Sequence, residues 1–259
     1  MKTKLTLFVA VLVFCSQLNL TGADLKKGLI GYFPFNGNSL DESGNGNHAG
    51  VSGASFAADR NGVKQKAYSF DGKGDYMQIK PIPLLSELTL SGWALPIHDN
   101  NNRGTFHTIL GTFGNHVKPK TPGRWLGFHY NPVTTKEKSW IRFHPSQSPN
   151  QNPGLFVLDA RSPEIFKFNE WVHVVGTYNG KEAIVYVNGK QAAKRSLSTK
   201  NYNVKTEQLF IGSDPDGDPE FMNGSIDDVR IYNRALSAEE VKALYDLEKP
   251  KAKGSDPSD

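Results

Sequence analysis

The stretch FNGNSLDESGNGNHAG, residues 35–50, sets Asp41, Glu42 and His48 among four Asn and four Gly. Gly and Asn adopt the left-handed turns that aim backbone groups inward around a charge. A second acidic element lies far along the chain in GSIDDVRIY, where Asp227 and Asp228 interrupt a β-prone run. Successive side chains of a strand alternate between faces. Asp227 is therefore expected to lie with Val229 and Ile231, and Asp228 with Ile226, Arg230 and Tyr232. Val229 and Ile231 are the better core candidates, which points Asp227 inward. A buried carboxylate needs hydrogen-bond donors or a cation. The 35–50 loop is expected to close over the start of IDDVRIY and to supply one or the other.

The stretch RWLGFHYNPVTTKEKSWIRFH offers a different chemistry. Trp125, His129, Tyr130, Trp140, Arg142 and His144 fall on what should be neighbouring strands. Aromatic faces stack on sugar rings, and Arg or His bonds hydroxyls, so these six are the candidate ligand-binding set. The competing reading is core and edge packing, since Trp and Tyr also fill sandwiches. Aromatics with Arg also suit single-stranded nucleic acid, which the charge described below argues against.

Other constellations read as ordinary structure. Asp214, Asp216 and Asp218 in SDPDGDPE resemble the start of an EF-hand, but Gly217 is misplaced and the closing Glu is missing, so an acidic turn is expected. Asp71 and Asp75 in SFDGKGDYMQI fit an Asx-type hairpin turn. The seven His form no HExxH pair, and the chain has no G-x-S-x-G elbow. A glycosidase needs two carboxylates about 5–9 Å apart across a cleft. The E-x-D-x-x-E stretch of glucanases is not found here, and Glu182, Glu207 and Glu220 are isolated. No catalytic residue is assigned.

The elements that must position these residues are strands. Short apolar or alternating runs recur along the chain, among them LIGYFPF, DYMQI, LTLSGWAL, WLGFHY, WIRFH and QLFIG, with turn residues between them. That pattern predicts an all-β sandwich or barrel. WVHVVGTYNGKEAIVYVNGKQAAKRSL predicts a three-stranded meander, with turns at Asn179-Gly180 and Asn188-Gly189. SAEEVKALYDL predicts a helix from Ser237 to Leu247, opened by a Ser237/Glu240 capping box. Residues 248–259 read as a polar tail and residues 24–247 as the folded domain.

Residues 1–23 read as a secretory signal peptide, with a basic start at Lys2 and Lys4 and the apolar run LTLFVAVLVF. The expected location is secreted or extracytoplasmic. Removing those two lysines takes the formal charge of the 259-residue chain from +4 to +2 and removes its single cysteine, Cys15. A charge of this size gives no case for nucleic acid. No later segment is apolar enough to form a spanning helix.

In their order along the chain, GYFPFNGNSLDESGNGNHAG, YSFDGKGDYMQI, LTLSGWA, WVHVVGTYNGKEAIVYVNGKQ and GSIDDVRIYNRALSAEEVKALY resemble LamG-like jelly-roll domains. These belong to the concanavalin A-like lectin/glucanase superfamily. The resemblance implies a two-sheet antiparallel jelly roll with a short C-terminal helix. It also implies a calcium ion beside the 35–50 loop. Asp41, Asp227 and Asp228 are then the candidate metal ligands, with a purely hydrogen-bonded cap as the alternative. The functional expectation is a secreted, non-catalytic binding or adhesion module for a glycan or cell-surface polysaccharide. The rival readings are a glycan-degrading enzyme of the same fold and a cell-surface protein-interaction module.

Overall fold

The computed structural model describes residues 23–82, 86–98, 105–112, 125–131, 138–145, 158–161, 165–196, 207–213 and 220–251. The strands among them are β1 (Leu29–Phe33), β2 (Ala49–Ser52), β3 (Ser55–Ala57), β4 (Ala67–Asp71), β5 (Tyr76–Ile82), β6 (Leu88–Pro96), β7 (Thr105–Thr112) and β8 (Trp125–Asn131). They continue as β9 (Lys138–His144), β10 (Leu158–Arg161), β11 (Val172–Tyr178), β12 (Glu182–Val187), β13 (Lys190–Ser196), β14 (Glu207–Ile211) and β15 (Asn223–Tyr232), before helix α1 (Ala238–Glu248). They form two antiparallel sheets. An eight-stranded sheet runs β13-β12-β11-β6-β15-β4-β3, with β1 also paired to β15. A seven-stranded sheet runs β10-β9-β8-β7-β14-β5-β2. This is the expected all-β jelly-roll sandwich, with the β11–β12–β13 meander where the Asn-Gly turns predict it. Asn188 and Gly189 both take positive φ there, 49° and 74°, as a tight hairpin requires.

The main core lies between the sheets. Strand β5 shows the rule of alternation from Met77 to Lys80: Met77 and Ile79 are buried in that core, while Gln78 and Lys80 are exposed. Strand β11 is buried along its whole length, because both of its faces are covered. Val172 and Val174 enter the main core. Val175 turns the other way, into a second cluster with Tyr186, Tyr232, Leu236, Val241 and Leu244. Helix α1 thus packs on the outer face of the eight-stranded sheet.

The helix starts where expected. The Ser237 hydroxyl accepts from the Glu240 N–H, and the Glu240 carboxylate accepts from the Ser237 N–H at 2.8 Å. Its end corrects the sequence reading. Glu248, assigned there to the polar tail, is the last helical residue and is buried. Its carboxylate pairs with Arg230 and accepts from Trp93 Nε1 at 3.0 Å, so an ion pair, not hydropathy, sets the boundary. Residues 1–22 and 252–259, which hold most of the proposed leader and tail, lie outside the described residues.

Beneath the helix, Trp93 stacks on His173 at 5.1 Å and on Tyr245 at 5.8 Å between ring centroids. His173 Nε2 lies 3.0 Å from the Ser91 hydroxyl. Burial, reinforced by Arg230 and Arg60, pushes His173 down to about 3, so the imidazole is neutral in the fold. The unfolded chain titrates at about 6.5 and therefore binds the proton first as pH falls. Stability from this group is lost between roughly pH 6.5 and 3, at a limiting slope of about 1.4 kcal/mol per pH unit. His173→Gln should lose this dependence. The stability gap between wild type and variant in urea melts should narrow as pH falls from 6.5 to 4.5. Asp227 is common to both proteins, so the difference isolates the imidazole. A gap independent of pH contradicts the assignment.

Candidate functional site

Strand register assembles the candidate ligand face on the outside of the seven-stranded sheet. Gly50 on β2 pairs with Gln78 on β5, Gln78 with Phe210 on β14, and Phe210 with Gly111 on β7. Gly111 pairs with Trp125 on β8, and Trp125 with His144 on β9. These residues form one continuous cross-strand row. Neighbouring positions in such a row lie about 4.5–5.5 Å apart at Cβ. Beside it, Gly127 pairs with Arg142 and Arg142 with Asp159, while Trp140 pairs with Arg161.

The side chains interlock. Trp125 Nε1 donates to the Thr108 hydroxyl at 2.7 Å, and the Trp125 ring meets His144 edge-on at 6.0 Å. The indole crosses Gly127 so closely that a Cβ there would lie 2.7 Å from it and 2.3 Å from the His107 carbonyl. Arg142 holds Asp159 with two hydrogen bonds, of 2.7 and 3.2 Å, and Arg161 adds a third at 2.6 Å. Arg161 also lies 4.6 Å over the Trp140 ring. Burial opposes ionisation of Asp159, but the bonds from Arg142 and Arg161 outweigh it and hold the carboxyl below its usual range. A carboxylate locked as the anion is not a general acid.

Of the six candidates, Trp125, Trp140, Arg142 and His144 thus come together on β8 and β9. Trp125 and Trp140 are only 4% and 9% exposed, so both are buried, as the packing reading has it. The backbone of His129 pairs with Trp140 and that of Tyr130 with Ser139. The side chains of His129 and Tyr130 lie outside the described residues, as do Asp214, Asp216 and Asp218. Sequence reasoning missed Gly50, Gln78, Phe210 and Gly111, because only register brings them into the row. Asp71 does form the expected turn, accepting from the N–H groups of Lys73 at 2.8 Å and Gly74 at 3.2 Å.

The acidic strand departs from its expected alternation. A bulge interrupts the β15–β6 register between Asp227 and Arg230, and Asp228 takes φ 46°. It falls where the neighbour on β15's other edge changes from β4, last paired at Ile226, to β1, first paired at Val229. A bulge adds a residue and resets the alternation. Ile226, Val229 and Ile231 all enter the main core. Asp227 does not join Val229 and Ile231. Together with Asp228 it meets Arg60, at 2.5 Å (Nη1 to Asp227) and 2.7 Å (Nη2 to Asp228). Arg60 also donates through Nε to the Glu248 carbonyl and lies 4.8 Å over the Trp93 ring. Asp59 aims it: its carboxylate accepts from the N–H groups of Asn61 and Val63, each at 2.8 Å, winding a tight turn. Burial and the adjacent Asp228 push Asp227 upward, and Arg60 opposes them.

The 35–50 loop is wound, but around Asp41 and not around Asp227. Asp41 Oδ1 accepts from the N–H groups of Tyr32 at 2.9 Å and Ser43 at 2.8 Å, and Oδ2 from that of Asn47 at 2.9 Å. Burial alone would raise this carboxyl, but hydrogen bonds from Ser43, Tyr32 and Asn47 outweigh it and hold it low. The Asn45 and Asn47 amides cap the Leu29 and Ile30 carbonyls.

These residues do not fit calcium. The Asp41 carboxylate is engaged by N–H donors and the Asp227–Asp228 pair by a guanidinium, whereas Ca2+ takes roughly six to eight oxygens. Among the described residues no three His, Cys, Asp or Glu gather to hold a metal ion. Wild-type protein should therefore melt at the same temperature with EDTA as with calcium. Arg60→Met, which strands two buried carboxylates, should cost about 3–5 kcal/mol in urea melts. A calcium-dependent rise in the wild-type melting temperature contradicts this account.

Known proteins share this architecture. The fourth domain of AbnA, an extracellular arabinanase of glycoside hydrolase family 43 from Geobacillus stearothermophilus, solved with arabinotriose, superposes with a TM-score of 0.57 at 18% identity. The alignment covers 84% of this chain and 98% of that domain. The botulinum neurotoxin serotype D ligand-binding domain, solved with N-acetylneuraminic acid, gives a TM-score of 0.58 at 16% identity, over 86% of this chain and 52% of that one. A human adhesion G-protein coupled receptor, D1, is 35% identical over 78 residues, so the chain spans only 9% of that receptor's length. Residues 71–242 match the sequence profile of a laminin G family. With that match spanning most of the folded region, the chain belongs to the laminin G group of the concanavalin A-like lectin/glucanases superfamily.

Proposed function

We propose that the protein is an exported, non-catalytic glycan-binding module that engages its ligand on the outer face of the seven-stranded sheet. The observation that carries the reading is the cross-strand row Gly50, Gln78, Phe210, Gly111, Trp125 and His144. Gly50 leaves open space over its end of the row, where the exposed Gln78 offers an amide and the partly exposed Tyr76 an aromatic face, while the Phe210 and Trp125 rings are buried. The opposite sheet carries α1 on its outer face. The leader-like residues 1–23 support export. Two superposable domains were solved with an arabinose oligomer and with N-acetylneuraminic acid, which supports a sugar as the ligand class. Among the described residues, the carboxylates of Asp159, Asp227 and Asp228 are held by arginines, which favours binding over cleavage.

The test is retention on immobilised polysaccharides together with an assay for new reducing ends. The expected result is retardation by at least one glycan with no release of soluble sugar. Release that disappears on changing one Asp or Glu would make the protein an enzyme. Failure to bind any glycan, with capture by a cell-surface protein instead, would make it a protein-interaction module.

A further inference from the structure

At the Gly50–Gln78 end of the row, β2, β5 and β14 border a groove of about 430 Å3. We propose that this groove, resting on the glycan-binding reading above, is a subsite for a sugar residue that carries a carboxylate. Its volume falls within the about 300–1,000 Å3 of small-molecule sites.

Tyr76 gives the groove an aromatic wall. It is partly exposed and braced edge-on by Phe210 at 5.8 Å and 72°. Ser52 lies in register with Tyr76, and the exposed Gln78 with Gly50. A Cβ on Gly50 would meet only the Gln78 carbonyl, at 3.9 Å, so the space above this position is open. Gln208 is pinned through its amide to the Ile79 carbonyl, which fixes the plane it presents. Two amides, a hydroxyl and a phenol are the groups that pair with sugar hydroxyls.

Charge selects among sugars. Lys80 and His48 line the groove, and among the described residues no acidic one does. Lys80 lies two residues beyond Gln78 on the same strand, so it shares that outer face, and it is exposed. The wound loop orients His48: its Nδ1 accepts the Asp41 N–H at 3.0 Å, so the neutral ring carries its proton on Nε2. An ammonium and an N–H donor beside an aromatic wall suit the carboxylate of a uronic or sialic acid, and charge-assisted bonds are the strong ones. A neutral sugar leaves Lys80 unused.

The experiment is a glycan array of matched carboxylated and neutral oligosaccharides, followed by calorimetric titration of the best hits with wild type, Lys80→Ala, Lys80→Arg and Tyr76→Ala. Thermal melts confirm folding of each variant. The proposal expects preference for the carboxylated member of a pair, about tenfold weaker binding in Lys80→Ala, and substantial rescue by Lys80→Arg. Tyr76→Ala should weaken carboxylated and neutral sugars alike. Loss in Tyr76→Ala with no change in Lys80→Ala would make the groove a neutral-sugar site and overturn the carboxylate. Glycan binding untouched by either variant would overturn the groove while leaving the glycan-binding reading in place. No binding to any array member would overturn both.

Discussion

A guanidinium buried against two adjacent carboxylates is the interaction on which the rest of the structure depends. The bulge at Asp227 and Asp228 brings both acids to the helix-covered side of β15, where bulk water cannot solvate them. An ion pair this enclosed repays its desolvation only with close geometry and further hydrogen bonds. Arg60 supplies both, bonding Asp227, Asp228 and the Glu248 carbonyl while lying over Trp93. One side chain therefore ties together the 59–63 turn, β15, β6 and the end of α1. The Arg230–Glu248 pair secures the same helix end from the strand side.

The two sheets differ on their outer faces. The eight-stranded sheet spends its outer face on holding α1, through Val175, Tyr186 and Tyr232 against Val241 and Leu244. The seven-stranded sheet keeps a row of aromatics, glycines and polar groups on its outer face. The two regions meet through the 35–50 loop. Tyr32 donates its N–H to Asp41 and its hydroxyl to Asp228, so the winding of that loop is anchored beside the lock. The loop ends at His48, on the wall of the groove. The Gly- and Asn-rich sequence is thus no slack linker. It is a hydrogen-bonded coil around one carboxylate that delivers an imidazole to a surface.

What could be read from the sequence was local. Alternation in DYMQI, the Asn-Gly turns of the meander and the Ser237/Glu240 box each specify a conformation within a few residues, and each element formed. What could not be read depends on pairing between distant strands. The bulge falls where β15 exchanges β4 for β1, and a single added residue inverts the expected face of Asp227. The demand of that acid for a cation was legible, but its source was not, since Arg60 lies 167 residues away in the chain. Trp125 and Trp140 were legible as chemistry. Their burial was not, since partners such as Gly127, Thr108 and Arg161 are brought to them by folding of their own strand and by register on adjacent ones. The row from Gly50 to His144 crosses six strands whose order along the sheet is far from their order along the chain.

The central claim is that a sugar binds on the outer face of the seven-stranded sheet while the helix-covered face serves stability. Backbone amide chemical shifts recorded during titration with the best-binding oligosaccharide test it most directly. The account predicts shifts concentrated on β2, β5 and β14, extending along the row toward Trp125, with α1 and β15 unchanged. Shifts centred on α1, β15 and the Arg60 turn would contradict it.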